Sequence, residues 1–387
     1  MFKILTLNNI SVAGLERLSR DQYEVASEMQ YPDAILLRSF DMHDMEIPET
    51  VRAVGRAGAG VNNIPVTALS ERGVPVFNAP GANANAVKEL VLAGMLLAAR
   101  NICPAWDFAR DVEGDDQEIH RAVESGKKQF VGRELPGRTL GVIGLGAIGV
   151  KVANAAIGLG MRVIGFDPEI TVRRAWQLSS DVQQAASVDD LLRRADFVSL
   201  HVPMVEKTRN MINADRIGMM PEGVTLLNFS RDAIVDDEAV VAAIDEGRMH
   251  AYVCDFPNNR LKGHPGVIAL PHIGASTREA EDNCAVMVSE QVKAFLQDGN
   301  VQNSVNFPEV VMPRNSGYRM AVVNANVPNM LGQISTALAD AGLNIVDMLN
   351  KSRGDLAYTL TDVDEPIPDS VTEAIATIDG VLAVWAL

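Results

Sequence analysis

The sequence predicts an α/β protein in three parts: two doubly wound parallel-sheet domains in succession, then a small βαββαβ module. Three observations carry this. Short apolar runs alternate with helix-period segments through residues 2–78 and again from 139 to 270. A glycine-rich turn joins the first strand of the second series to a helix. The segment 318–387 then changes period in the order strand, helix, strand, strand, helix, strand.

In order, 2–7, 34–37, 51–57 and 74–78 read as short buried strands, with a helical stretch near 12–18. Residues 85–100, rich in Ala and Leu, read as one long, largely buried helix whose N-cap is Asn83 or Asn85. A polar stretch follows, and Leu135-Pro136-Gly137 punctuates the chain. Strands resume at 140–143, 162–166, 197–200, 225–228, 252–254 and 267–270, and a helix covers 277–296. The run up to residue 317 has neither period and reads as a linker. The tail's elements fall at 319–325, 330–341, 345–352, 357–363, 371–378 and 382–385, the split βαβ pattern of a ferredoxin-like module.

Composition narrows the function classes. With 34 Lys and Arg against 50 Asp and Glu, the formal charge is −16, which disfavours nucleic acid and anionic membrane as partners. The longest apolar run, 90–99, is about half a membrane span. The first residues carry too short an apolar run for a signal peptide. Three cysteines (Cys103, Cys254, Cys284) without a CxxC pair fit a reducing compartment, and the cytoplasm is the expected location. No His/Cys cluster has metal-ligand spacing, so no metal is expected.

Gly144-Leu-Gly146-Ala147-Ile148-Gly149 follows an apolar strand and opens a helix, and a second strand ends in Asp167. In that setting Gly144 permits the tight turn, Gly146 lets backbone approach a pyrophosphate, and Gly149 lets helix pack on strand. The helix N-terminus offers N–H donors, and Asp167 suits ribose hydroxyls, favouring NAD over NADP. The plainer alternative is a merely glycine-rich turn. Arg231 lies just beyond a strand's carboxyl end, where a guanidinium can hold a carboxylate through two hydrogen bonds; the plainer alternative is an ordinary surface charge. His272 also follows a strand; imidazole moves protons near neutrality, although a lone His there is more often structural. In the first domain, Arg38 and Arg56 follow two strands and bring local positive charge, and backbone N–H groups from Ala57 to Val61 suit a carboxylate.

These residues, together with GRAGAGVNNI, NAPGANANAVKELV, DFVSLHVP, LLNFSRDAIVDDEA, CDF, LPHIGAST and SVNFPEV, resemble the D-2-hydroxyacid dehydrogenases over nearly the whole chain. Within that family the resemblance is to the branch that oxidises 3-phosphoglycerate to 3-phosphohydroxypyruvate with NAD, the entry to serine biosynthesis. The tail NVPNMLGQISTALADAGLNI is similar to the family's ACT regulatory domain. The resemblance implies a flavodoxin-like substrate domain (1–95, completed by a return helix at 277–305), a Rossmann-like NAD domain (96–276), a linker (306–317) and the ACT module (318–387). It implies that Arg231 orients the substrate carboxylate and hydroxyl, and that His272 accepts the hydroxyl proton as hydride leaves C2. Contacts to the cofactor fall on the glycine turn, Asp167, His201, Val202, Pro203, Thr208, Asn228, Asp255 and Gly274. Contacts to the phosphate side fall on Arg38, Ser39, Arg56 and Asn83, beside the Ala57–Gly58 turn. Effector contacts, with L-serine the leading ligand, fall on Asn324, Asn326 and Asn344, in a homo-oligomer that is a dimer or tetramer.

Two departures stand out. The family pairs its catalytic His with a Glu a few residues beyond the Asp of its "DVF…EP" segment; here no acid occurs between Asp255 and Glu279, and Asn259 or Arg260 occupies the place. In the tail, the family's effector-binding His is Asn324, and the usual Gly after Pro328 is Asn329. Two alternatives remain open on the sequence: a dehydrogenase of another D-2-hydroxy acid, or a catalytically weak NAD- or amino-acid-sensing protein.

Overall fold

The computed structural model describes residues 1–314 and 317–387, which form two compact units. The first contains residues 1–83 and 278–387, the second 84–277. The sequence places the break after residue 95, but the whole helix Ala84–Ala99 sits in the second unit, where Val87, Val91, Met95 and Ala99 bury against that unit's sheet. Periodicity identifies such a helix without saying which sheet it covers.

In the first unit, strands β1 (Phe2–Leu7), β2 (Tyr23–Ala26), β3 (Ala34–Leu37), β4 (Ala53–Arg56) and β5 (Val76–Phe77) form a sheet in the order β2-β1-β3-β4-β5. Every pairing is parallel, and the order is that of the flavodoxin-like fold. The helix Arg278–Asp298 returns to this sheet, and Gly55 admits it: a Cβ there would lie 2.6 Å from a Val288 methyl and 2.9 Å from one of Val292. In β3 and β4 Leu37 pairs with Arg56, so the two strands end together. That register puts Arg38 and Arg56 at one sheet edge.

In the second unit, β6 (Thr139–Ile143), β7 (Arg162–Phe166), β8 (Gln183–Gln184), β9 (Phe197–Leu200), β10 (Val224–Asn228), β11 (Met249–Cys254) and β12 (Val267–Ala269) are ordered β12-β11-β10-β9-β6-β7-β8. The order reverses between β6 and β9, the switch point at which such sheets bind ligands beyond their carboxyl ends. Helix Ile102–Asp111 precedes the polar stretch and helix Asp116–Gly126 lies within it, begun by a capping box of Asp115 and Glu118; neither buries a residue within the chain.

The tail, β13 (Tyr318–Ala325), β14 (Ile345–Arg353), β15 (Leu356–Val363) and β16 (Val381–Ala386), is an antiparallel sheet ordered β14-β15-β13-β16, the ferredoxin-like arrangement. Helices Met330–Asp340 and Asp369–Ala376 cover one face through Ile334, Leu338, Val371 and Ile375. The other face, through Ala321, Val323, Tyr358 and Leu360, shares a core with Phe295, Phe307, Val310 and Met312. The segment expected as a linker is therefore packed structure up to residue 314; Asn315 and Ser316 lie outside the described residues. Its apolar side chains follow no period because they pack as irregular backbone.

One buried ion pair holds this junction. The Arg319 guanidinium donates to both carboxylate oxygens of Asp362 (2.6 and 2.9 Å) and to the carbonyls of Asp298, Met312 and Pro313 (2.9–3.0 Å). Both side chains are fully buried. An isolated charge there would be costly, and all five Arg donors have acceptors.

Candidate active site

The glycine turn is built as its spacing requires. Gly144 has φ +91°, and a Cβ there would run into the His201 carbonyl, so the turn and the 201–203 loop lie against each other. A Cβ on Gly149 would strike the Gly144 carbonyl oxygen, whereas one on Gly146 would meet nothing within 4 Å. Gly146 caps helix Ala147–Gly158 with no side chain, so the first-turn N–H groups face outward. Asp167 accepts from the Leu145 N–H (2.8 Å) and the Glu169 N–H (2.9 Å), tying the second strand's end to the turn. The open space over Gly146, the free helix end and the carboxylate beside them fit a dinucleotide.

Around the ends of β9 to β12, buried polar groups fix the loops. Asn228, fully buried, donates to the Arg231 carbonyl (2.8 Å) and the Tyr252 hydroxyl (3.2 Å), and its own Oδ1 accepts from the Ser230 N–H (3.1 Å). Ser230 donates to the Leu200 carbonyl (2.6 Å). These bonds shape the turn that presents the exposed Arg231 side chain. Thr208 braces the loop from Pro203 by donating to that residue's carbonyl (2.7 Å) and accepting from the Val205 N–H (2.9 Å). Val202 is half-buried and Pro203 exposed.

His201 bonds the buried Ser199 hydroxyl through Nε2 (2.8 Å), while its buried Nδ1 has no partner. Burial lowers its pKa to about 3, so the ring is neutral at physiological pH. Ser199 was not singled out from sequence; its place two residues before His201 in DFVSLHVP was the available signal.

Arg231, Asp255 and His272 are brought together. Burial raises the Asp255 pKa, and the neighbouring His272 ring, the Gly274 N–H and the Arg231 guanidinium act against that shift. Asp255 is almost wholly buried, and its Oδ1 has no hydrogen-bond partner. His272 is exposed, adopts φ +52°, and packs edge-on against Phe256 with ring centroids 5.1 Å apart. A left-handed histidine is uncommon and costs backbone strain, which collects at functional sites. Beside them Cys254 is buried, with its thiol pushed up to about 11, chiefly by burial. The polar groups after Asp255 turn to another helix: Asn258 donates to Asp237 (2.6 Å) and Arg260 pairs with Glu238 (2.6 Å).

In the first unit, the Arg56 Nε donates to the Arg38 carbonyl (3.0 Å), and the Arg56 side chain lies over Gly58. Arg38 Nη1 pairs with Glu281 at 2.8 Å, a partner the sequence gave no sign of because it lies in the returning helix. The N–H groups of Ala57 and Gly58, expected to serve a ligand, are instead taken by the Leu37 carbonyl (2.7 Å) and the Arg56 carbonyl (2.8 Å). Among the described residues, those of 59–61 have no such acceptor. Ser39 is exposed and Asn83 half-buried.

The three tail asparagines do not converge within one chain. Asn324 is buried on β13 opposite Ala357, with its Oδ1 unpartnered, and Asn326 donates to the Gly354 carbonyl (3.1 Å). Asn344 precedes β14, where Ile345 pairs with Val363 at the other end of the sheet. The separation is about six residues of strand, roughly 20 Å. Among the described residues no helix is long and apolar enough to cross a membrane, and no group of three or more His, Cys, Asp or Glu could hold a metal.

Residues 92–274 match the family described as "D-isomer specific 2-hydroxyacid dehydrogenase, NAD binding domain". The D-3-phosphoglycerate dehydrogenase of Methanocaldococcus jannaschii is 35% identical over 349 residues, covering 88% of this chain and 63% of that protein. That of Haemophilus influenzae is 32% identical over 347 residues, covering 87% and 81%. The chain thus spans less than two thirds of the first relative and most of the second. Among solved structures, NAD+-bound 3-phosphoglycerate dehydrogenase of Entamoeba histolytica superposes with a TM-score of 0.61 at 25% identity, covering 79% of this chain and 98% of that one. Identity at this level over most of both chains, with a dinucleotide turn built to receive NAD, makes this chain a member of the D-isomer specific 2-hydroxyacid dehydrogenase family, an NAD-dependent group to which those D-3-phosphoglycerate dehydrogenases also belong.

Proposed function

We propose that the chain oxidises 3-phospho-D-glycerate to 3-phosphohydroxypyruvate, in the cytoplasm, as the first step of serine biosynthesis. The observation that carries the chemistry is the grouping of Arg231, Asp255 and His272 in the NAD-binding unit. Arg231 would hold the substrate carboxylate through paired hydrogen bonds. His272 would take the proton from the C2 hydroxyl and return it in the reverse direction. The neutral His201 with Val202, Pro203 and Thr208 would line the cofactor, the amides of Gly146, Ala147, Ile148 and Gly149 would receive its pyrophosphate, and Asp167 its ribose. Asn228, Asp255 and Gly274 would complete that lining, with Asp255 holding the nicotinamide amide. NAD, when bound, supplies the two-electron acceptor for the C2 hydride.

Arg38 and Arg56, on neighbouring strand ends, support a phosphorylated substrate in a chain of charge −16. Ser39 and Asn83 are proposed to add hydrogen bonds there. The tail is read as an ACT effector module in a homo-oligomer. Since Asn324 and Asn326 lie far from Asn344 along the sheet, a serine site would combine Asn324 and Asn326 of one copy with Asn344 of another. The test is NADH consumption with 3-phosphohydroxypyruvate and with unphosphorylated 2-oxo acids, with and without L-serine. Preference for the phosphorylated substrate and inhibition by serine are expected. Turnover of only unphosphorylated acids would show another D-2-hydroxyacid dehydrogenase, and no turnover with NADH bound would show a sensing protein.

A further inference from the structure

We infer that Glu281 is a built-in competitor at the anion subsite of the first unit, so that a ligand's anion competes with a carboxylate for Arg38. The inference rests on the reading that Arg38 and Arg56 receive the substrate's phosphate. Its basis is one cluster drawn from three elements. Arg38 follows β3, Arg56 ends β4, and Glu281 lies in the first turn of helix Arg278–Asp298. Arg38 Nη1 and Glu281 Oε1 are 2.8 Å apart, and Arg56 Nε reaches the Arg38 carbonyl at 3.0 Å. Cys284, buried one turn along the helix, reports the same grouping: burial raises its thiol pKa, Arg38 and Arg56 oppose that, and Glu281 adds to it.

The pair is poised to open. Arg38 and Glu281 keep 37% and 42% of their side-chain surface exposed, so water can receive the displaced carboxylate. At the start of a helix Glu281 also stays near a favourable dipole end once it leaves Arg38. A terminal phosphate, with its higher charge and three acceptor oxygens, can replace a carboxylate on a guanidinium; an uncharged hydroxymethyl group cannot. Glu281 therefore weakens all anions at this edge and leaves it to ligands carrying further anchors. The device opposes phosphate-type anions as a class, and uncharged groups at this edge are left unaffected.

The experiment compares the full chain with E281Q, E281A and R38A. KM is measured for 3-phosphohydroxypyruvate and for unphosphorylated hydroxypyruvate, with the inhibition constant of inorganic phosphate. Phosphate-induced shifts in unfolding temperature give a readout independent of turnover. For E281Q and E281A, KM for the phosphorylated substrate and the phosphate inhibition constant should fall about 3- to 10-fold, as expected for removing one partly exposed ion pair and its repulsion. KM for hydroxypyruvate should move less than about 2-fold. Unchanged phosphate binding in both Glu281 variants, with R38A still raising KM for the phosphorylated substrate, would overturn the role of Glu281 and leave the substrate reading intact. If R38A changes neither KM nor phosphate binding, the substrate reading fails and the inference with it.

Discussion

Replacing Gly146 by Ala separates the fold from the cofactor site. At Gly146 φ is −73°, an ordinary value for any residue, and the added Cβ meets no atom within 4 Å. Stability should therefore change by no more than about 0.5 kcal/mol. The methyl nevertheless occupies the space that lets a pyrophosphate approach the turn. Losing one hydrogen bond to that charged group costs about 1.5–3 kcal/mol, or roughly 10- to 100-fold in Kd. Gly149 is the control. Its Cβ would overlap the Gly144 carbonyl, so Gly149→Ala must open the turn and should cost about 1–3 kcal/mol of stability. NADH titration by fluorescence and thermal unfolding of both variants make the comparison. A Gly146→Ala protein that binds NADH as tightly as the parent would refute the placement of the pyrophosphate; one that unfolds would refute the geometry.

Other perturbations have defined outcomes. His201 has a folded pKa of about 3 against 6.5 for an exposed ring, so its contribution is complete above pH 6.5 and is lost as pH falls towards 3. Between pH 7 and pH 5 that is about 2 kcal/mol, and His201→Gln should flatten this part of the stability–pH profile measured by urea unfolding. Arg319→Ala leaves Asp362 charged and buried, so chemical denaturation should show a loss of about 3–5 kcal/mol. Introducing the acid absent between Asp255 and Glu279 should raise the acid limb of kcat/KM for hydroxy-acid oxidation, since a carboxylate favours imidazolium. Asn259→Glu suits this better than a change at Arg260, which is paired with Glu238; an unmoved limb would mean that the base is not His272 or has another partner.

How much of this was legible in the sequence depends on whether a signal was local. The glycine turn, Asp167 and the strands ending before Arg231 and His272 are contiguous patterns with fixed geometry, and each lies at a strand's carboxyl end as expected. The Arg38–Glu281 pair and the Arg319–Asp362 pair join residues 243 and 43 positions apart, and no spacing rule reaches that far. Phe307, Val310 and Met312 pack as irregular backbone, so their missing period suggested a linker where the structure has a core. The nest at Ala57 and Gly58 failed for a different reason: composition shows which amides exist, not which the sheet edge has already used.

The central claim is that Arg231 and His272 act on one substrate beside the dinucleotide. It is tested most directly by steady-state reduction of 3-phosphohydroxypyruvate in the parent, Arg231→Lys, His272→Asn and the double variant. His272→Asn should lower kcat about 100- to 10,000-fold with NADH affinity retained. Arg231→Lys should raise KM, and the double variant should lose less than the product of the single effects, as groups working as one unit do. A His272→Asn enzyme with the parent's kcat, or fully independent effects of the two substitutions, would contradict the account.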